Sequence, residues 1–247
     1  MFNIPYITSQ ETLKTRDIYR ILQKQKKSLV ALLESLGSKS VKEPNVTSQW
    51  ETQTTPMIAE YLYTALPVVM VQASLPTIHQ YKEQLPKGYK IGFDLPTDPA
   101  KKYLDNLKRL HLSNYKGSIS ATTNDEVKNI IAQWVGDGLS YGEIAKQIRE
   151  IDPFIFSKAR ANLIAITEVG RAYGFAHYIP TQTMTEMWFV LEKQWITSHD
   201  ARVRPTHQAN ESLDWIPLAQ NFPNGDEYAP SVIDIRCRCH HVTRIIE

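Results

Sequence analysis

Apolar residues at Ile18, Ile21, Leu22, Leu29, Leu32, Leu33 and Leu36 recur at intervals of three and four, which predicts a helix from Lys14 to Leu36 with Gly37 as its stop. The same period returns over "DEVKNIIAQWVGDG", where Thr123 or Asn124 would cap the start and Gly136 and Gly138 the end. Next comes "LSYGEIAKQIRE", in which Ser140 and Glu143 have the spacing of a capping box. A further helix covers "FSKARANLIAITEVGRAYGFAHYI", with Ala161, Ile164, Ala165, Glu168, Ala172 and Phe175 on one face; its alanines and glycines predict a second helix packed close against it. Between the first helix and these, the polar "GSKSVKEPNVTSQWETQTTP" reads as a linker, and helical segments resume near Met57. Prolines at 67, 76, 86, 96 and 99 then predict short elements joined by turns rather than a long helix.

After Pro180 the period changes. "EMWFVLEKQWIT" and "DIRCRCHHVTRII" have the composition and alternation of strands, with a loop-rich stretch between them. Helices followed by strands predict an α+β fold, mainly helical in its N-terminal and middle regions, with a small mixed α/β module at the C-terminus. Along the chain this gives an amphipathic basic helix within 1–45, an unassigned region of short elements over 46–121, and a region 122–247 with helices over 122–179 and the mixed module over 186–247.

Composition adds limits. The 247 residues are 42% hydrophobic and 22% charged, ordinary globular material, and a net charge of +2 excludes a protein that coats nucleic acid through a global field. Charge is nevertheless polarised: residues 1–45 carry eight basic and four acidic side chains, residues 192–247 six and eight. Lys24, Lys26 and Lys27 are therefore candidates for contact with nucleic acid, against the plainer reading of a solvated face on a helix docked by its leucines. Two cysteines two residues apart cannot staple a fold of this size, which fits a reducing compartment. The apolar run Ala65 to Val71 is too short to span a membrane, and neither a membrane partner nor a standard secretion signal is expected.

Candidate chemistry concentrates in "DIRCRCHH". In a strand, Ile233, Ile235, Cys237, Cys239 and His241 would face one way and Asp234, Arg236, Arg238 and His240 the other. The main reading is that the thiols pack as small hydrophobes in the core of the module. The second is a structural zinc held by Cys237, Cys239 and His207 with His241 or His199. In "TSHDARVRPTH", Asp200 with Arg202 and Arg204 predicts a salt-bridged loop beside Trp195, assisted by Thr197 or Ser198. Glu168 is expected to pair with Arg160 or Arg171, while Arg160, Arg171, Arg236 and Arg238 are also candidates for a phosphate-binding surface. Asp200 with His207 as an acid/base pair would suit an enzyme, but no serine nucleophile motif, phosphate-cradling glycine loop or second carboxylate pair accompanies it.

The ordered blocks "GLSYGEIAKQI", "RANLIAITEVGRAYGFAH", "KQWITSHDARVRPTHQ" and "FPNGDEYAPSVIDIRCRC" resemble the Mu F-like head morphogenesis family, minor head proteins of tailed double-stranded DNA phages and prophages. The resemblance runs from about Thr122 to the C-terminus. It implies a virion component present in few copies inside the phage head, made in the host cytoplasm and assisting head assembly, genome packaging or DNA ejection. The implied partners are the portal protein, packaged double-stranded DNA bound without sequence preference, and other head proteins. No catalytic residue and no enzyme activity are implied; the alternative is a metal-dependent hydrolase or nuclease using His199, Asp200, His207 and the two cysteines. Two departures stand out. Arg204 and His207 occupy the places where many relatives carry a Cys-x-x-Cys, removing one thiolate from a four-cysteine zinc set, and Ile235 and Arg236 stand where an asparagine often precedes the final cysteines.

Overall fold

The computed structural model describes residues 4–37, 46–54, 56–85, 98–112, 119–151, 153–230 and 234–246. Most of the expected linker around 38–45, Pro86, Pro96 and Ile233 lie outside them. The fold is α+β and mainly helical, with one small antiparallel sheet near the C-terminus. By its contacts the chain divides into two compact units, one comprising Met1–Gln10, Ala65–Tyr103 and Ile166–Glu247, the other Glu11–Thr64 and Leu104–Ala165. Residues 46–121 thus contribute to both.

The second of these units is helical. Helix α1 (Ile4–Leu36) starts well before Lys14, and Ile18, Leu22, Leu29 and Leu33 form its fully buried stripe. Gly37 ends it with φ 55°, its N–H donating to the Leu33 carbonyl at 3.2 Å. Part of the expected linker is instead helix α2 (Val46–Thr54). The reason is Trp50, which is buried, donates its indole N–H to the Gln25 carbonyl at 3.0 Å and meets the Phe156 ring edge-on. Helix α5 (Ile119–Gly136) begins before Thr123 and Asn124, so both are buried interior residues rather than caps. Thr123 donates to the Ile119 carbonyl at 2.6 Å and accepts from Arg160 at 2.7 Å. Helix α6 (Tyr141–Ile151) has the expected capping box: the Ser140 N–H donates to Glu143 Oε2 at 2.8 Å and the Glu143 N–H to Ser140 Oγ at 3.3 Å.

The other unit holds the sheet. Helix α3 (Pro56–Gln84), which enters this unit at Ala65, passes through both Pro67 and Pro76, correcting the expectation of short elements. Each proline removes one backbone hydrogen bond, but burial of Leu66, Val69, Met70, Ala73 and Tyr81 on the same helix offsets a local cost of about 3 kcal/mol per proline. The stretch Trp50–Gln84 is, by length and composition alone, long and apolar enough to cross a membrane; half of an 18-residue window within it is buried, as in the core helix of a soluble protein. Helix α4 (Asp98–Leu112) accommodates Pro99 in its first turn. Helix α7 (Lys158–Glu186) likewise continues past Pro180, where a change to strand was expected. Strands β1 (Leu191–Ile196), β2 (Ile216–Pro217) and β3 (His240–Ile245) pair antiparallel in the order β2-β1-β3, with helix α8 (Pro205–Ser212) between β1 and β2 in sequence. The second predicted strand is therefore half its expected length, and residues 234–239 precede it as loop.

Two devices fix this loop and helix α7 in place. The glycines of α7 admit a loop, not the helix expected from the sequence: a Cβ on Gly174 would lie 2.5 Å from the Ala229 carbonyl oxygen and against the Pro230 ring, and one on Gly170 would lie 3.1 Å from the Cys237 carbonyl oxygen. Glu168, 2% exposed, accepts from Arg171 at 2.8 Å, and Arg160 bonds Thr123 and the Ile119 carbonyl instead. Helix α3 is tied to the same unit by Thr77 Oγ1 to His177 Nδ1 at 2.6 Å and by Tyr81 to the Thr243 hydroxyl at 2.6 Å.

Glycine to alanine inside a helix ordinarily stabilises by up to about 1 kcal/mol. At Gly174 the sign reverses: Gly174→Ala is expected to cost about 1–3 kcal/mol in chemical denaturation, because the Ala229–Pro230 backbone must move away. Arg171→Met strands the buried Glu168 charge and is expected to cost about 3–5 kcal/mol, most of it recovered in the double variant with Glu168→Gln; equal losses in both would contradict an uncompensated charge as the cause.

Candidate metal centre

Strand β1 sets the base of the site. Its burial alternates, so that Leu191, Lys193 and Trp195 face inward. Trp195 is fully buried and packs edge-on against both Phe222 and the His207 imidazole, each with ring centroids 5.0 Å apart. Trp195, Ile216, Phe222, Ala229, Cys237 and Cys239 form one apolar cluster. Lys193 sits fully buried on this inward face, its Nζ donating to the Glu227 carbonyl at 2.6 Å beside the Phe222 ring. Desolvation pushes it down to about 8. Nothing in the spacing of the strand had singled it out.

After β1 the chain turns through "TSHDARVRPTH". The Arg202 backbone N–H and guanidinium both bond Asp200, at 2.8 and 2.9 Å, and the first of these chiefly holds the Asp200 carboxyl below its ordinary range. Arg204 does not join this turn. It reaches instead to Asp234, at 3.4 Å, and to the Ile235 carbonyl, at 2.6 Å, so it bridges the loop to the segment carrying the cysteines. Thr197 donates its N–H and hydroxyl to Glu211, which also holds His199 at 3.3 Å. Pro205 then opens α8 and places His207 in its first turn, 2% exposed.

His207 is the meeting point. Its Nδ1 lies 3.5 Å from Cys237 Sγ and 3.4 Å from Cys239 Sγ, and its Nε2 lies 3.2 Å from Asp234 Oδ1. The ligand atoms of His207, Cys237 and Cys239 all fall within 4.8 Å of one another. The same holds for His207, Asp226 and Asp234, a second set that would use the opposite face of the ring. The Cys239 N–H donates to Cys237 Sγ at 3.4 Å. The two thiols act on each other: the hydrogen bond between them, then burial, pushes Cys237 up, while the same hydrogen bond and that to His207 hold Cys239 down.

Other sequence candidates go elsewhere. His199 is exposed and paired with Glu211, away from the cluster. His241 faces inward from β3, but its Nδ1 is engaged with the backbone of Ala229, and desolvation pushes it down to about 4. Ile235 is 52% exposed and Asp234 buried, the reverse of the strand alternation expected for them, because positive φ at Arg236 breaks the extended chain before β3 begins. Arg160 and Arg171 are buried and bonded within their own units, and Lys26 is buried with its Nζ on the Arg149 carbonyl at 3.3 Å. Lys24, Lys27 and Arg236 are exposed and Arg238 partly so. Asp234 and Lys193, which sequence reasoning passed over as site residues, are buried like the cysteines.

Beside the cluster lies a cavity of about 280 Å³ whose lining includes His207, Cys237 and Cys239 together with Asp200, Arg202, Arg204, Arg236 and Arg238. A second, of about 360 Å³, is lined by residues of α3, α7 and β3, including His177, His240 and His241.

No curated protein and no solved structure matches the chain. The family model of phage Mu protein F like protein matches residues 125–242, which include α6, α7, the sheet core and the whole His207, Cys237 and Cys239 cluster. Over this region the chain is similar to the phage Mu protein F like family.

Proposed function

We propose that the chain is a minor head protein of a tailed double-stranded DNA phage or prophage, seated with the portal inside the head and assisting assembly, genome packaging or DNA ejection. The family match over residues 125–242 carries this reading. Exposed Lys24 and Lys27 on α1 and Arg236 at the cavity support sequence-independent contact with packaged DNA, since solvent-exposed cationic side chains are able to neutralise phosphates. A hydrolase or nuclease at the same cluster would need a carboxylate able to take a proton beside the metal. Asp200 is engaged by Arg202, and Asp234 by Arg204 and His207, which favours a binding role over a catalytic one.

Quantitative mass spectrometry of purified DNA-filled heads is expected to find a few copies per particle, near the portal's stoichiometry, and fewer after DNA release; absence from the particle would sink the assignment. Affinity for duplex DNA is expected to fall steeply with salt, and Lys24→Ala with Lys27→Ala to reduce the log–log salt slope by about 2. Binding that does not respond to ionic strength would remove phosphate contact from the mechanism.

A further inference from the structure

The contacts at His207 pose a problem of proton supply. Asp234 lies at hydrogen-bonding distance from Nε2, so the tautomer with a proton on Nε2 donates to that carboxylate and leaves a single lone pair on Nδ1. Both sulfurs lie against that one lone pair, at 3.5 and 3.4 Å, in a buried pocket under Trp195. One imidazole lone pair accepts one good hydrogen bond, so Nδ1 can serve only one of the two sulfurs that lie against it. A cation between the three atoms satisfies all of them.

The distances fit that cation. Zinc bonds of about 2.0 Å to nitrogen and 2.3 Å to sulfur, at tetrahedral angles, place nitrogen and sulfur about 3.5 Å apart. Both observed separations are within about 0.2 Å of that edge. Two thiolates and a neutral imidazole would balance a divalent charge in this buried place, and soft sulfur donors favour Zn²⁺ over Mg²⁺ or Ca²⁺. Asp234 would then act on the outer nitrogen of the ligand ring, orienting it and raising its basicity, while Arg204 holds Asp234 in turn. The competing set on the other face of the ring, with Asp226 and Asp234, would break this support and offers only one nitrogen and hard oxygens.

We propose that His207 Nδ1, Cys237 Sγ and Cys239 Sγ bind one Zn²⁺ ion whose fourth position opens into the cavity lined by Arg236 and Arg238 beside the ion-paired Arg202 and Arg204, where it takes a phosphate oxyanion. The fourth ligand is exchangeable because, among the described residues, neither His199 nor His241 brings a ring nitrogen into the group formed by His207, Cys237 and Cys239. The surrounding guanidinium groups select for negative charge on the ligand that enters. This site stands on its geometry whether or not the chain is a head protein.

The test uses the full chain, stripped with chelator and reloaded. One zinc per chain by elemental analysis is expected, with Zn²⁺ raising the thermal midpoint of the wild type but not of Cys239→Ser or His207→Ala. Since those variants can fail by misfolding, Asp234→Asn is the graded one, expected to keep the fold and lose about 10–100-fold in zinc affinity. His199→Ala is expected to bind as the wild type does. With Co²⁺ in place of zinc, the spectrum is expected to show sulfur-to-cobalt charge transfer, and inorganic phosphate to shift the visible bands. Short duplex DNA in place of phosphate separates two sources: a shift by both assigns a backbone phosphodiester, a shift by inorganic phosphate alone a free ion. No uptake of metal, or uptake that survives loss of the cysteines and disappears in Asp226→Asn, would overturn the ligand set. A cobalt spectrum indifferent to phosphate and DNA would overturn the open fourth position.

Discussion

The imidazole of His207 is the joint on which the C-terminal module depends. One edge faces Asp234, the other faces both cysteines, and one face carries Trp195. Because Arg204 bonds Asp234 and the Ile235 carbonyl, the loop after β1 and the segment before β3 are held to each other by charge-assisted bonds around a single ring. A sheet whose outer strand β2 has two residues supplies little stabilisation of its own. The polar cluster under Trp195 supplies the convergence that a larger core would otherwise provide, and it does so in an apolar surround where each such bond is stronger than in water.

Glycine is needed at two points of α7. Two points of the backbone come close to the helix, the Cys237 carbonyl over Gly170 and the Ala229–Pro230 backbone over Gly174. The Arg236 N–H donating to Thr167 Oγ1 at 3.1 Å holds the segment before Cys237 from the helix side. Small residues on a helix face admit any backbone that comes near. The sequence pattern showed the closeness, and the partner turned out to be a loop because the loop carries the chemistry.

Periodicity made most helices legible: the stripe of α1, the capping box of α6 and the apolar face of α7 all follow from spacing that is local. The misses share a cause. Pro67, Pro76 and Pro180 are local signals that tertiary burial overrode, and α2 exists because Trp50 finds Gln25 and Phe156, contacts far away in sequence. At the site, the residue types were legible and their arrangement was not. Alternation read through "DIRCRCHH" assumed an extended chain, and one left-handed residue, Arg236, cancels it, turning Asp234 inward and Ile235 out. Similarly, composition could number the arginines but not say which were spent: Arg160 on Thr123, Arg171 on Glu168 and Arg204 on Asp234 are structural, whatever their charge suggests.

The distribution of spent and unspent charge bears on how a chain of nearly neutral net charge could meet a polyanion. Arginines buried against a carboxylate have already been desolvated and add no field outside the protein. What remains around the cavity is a group of guanidiniums of which Arg202 is tied to Asp200 and Arg236 is exposed, a local positive rim over two thiols. In solvent such a rim attracts phosphate weakly and without selectivity, because water competes for every donor. A cation fixed at the floor of the cavity changes the balance, since its field is only partly screened by the buried surround and it offers a bond that water must vacate. On the proposed reading, phosphate recognition by the arginines and metal binding by the cysteines would be one property of this module: the rim without the metal is an ordinary basic surface, and the metal without the rim would be satisfied by water.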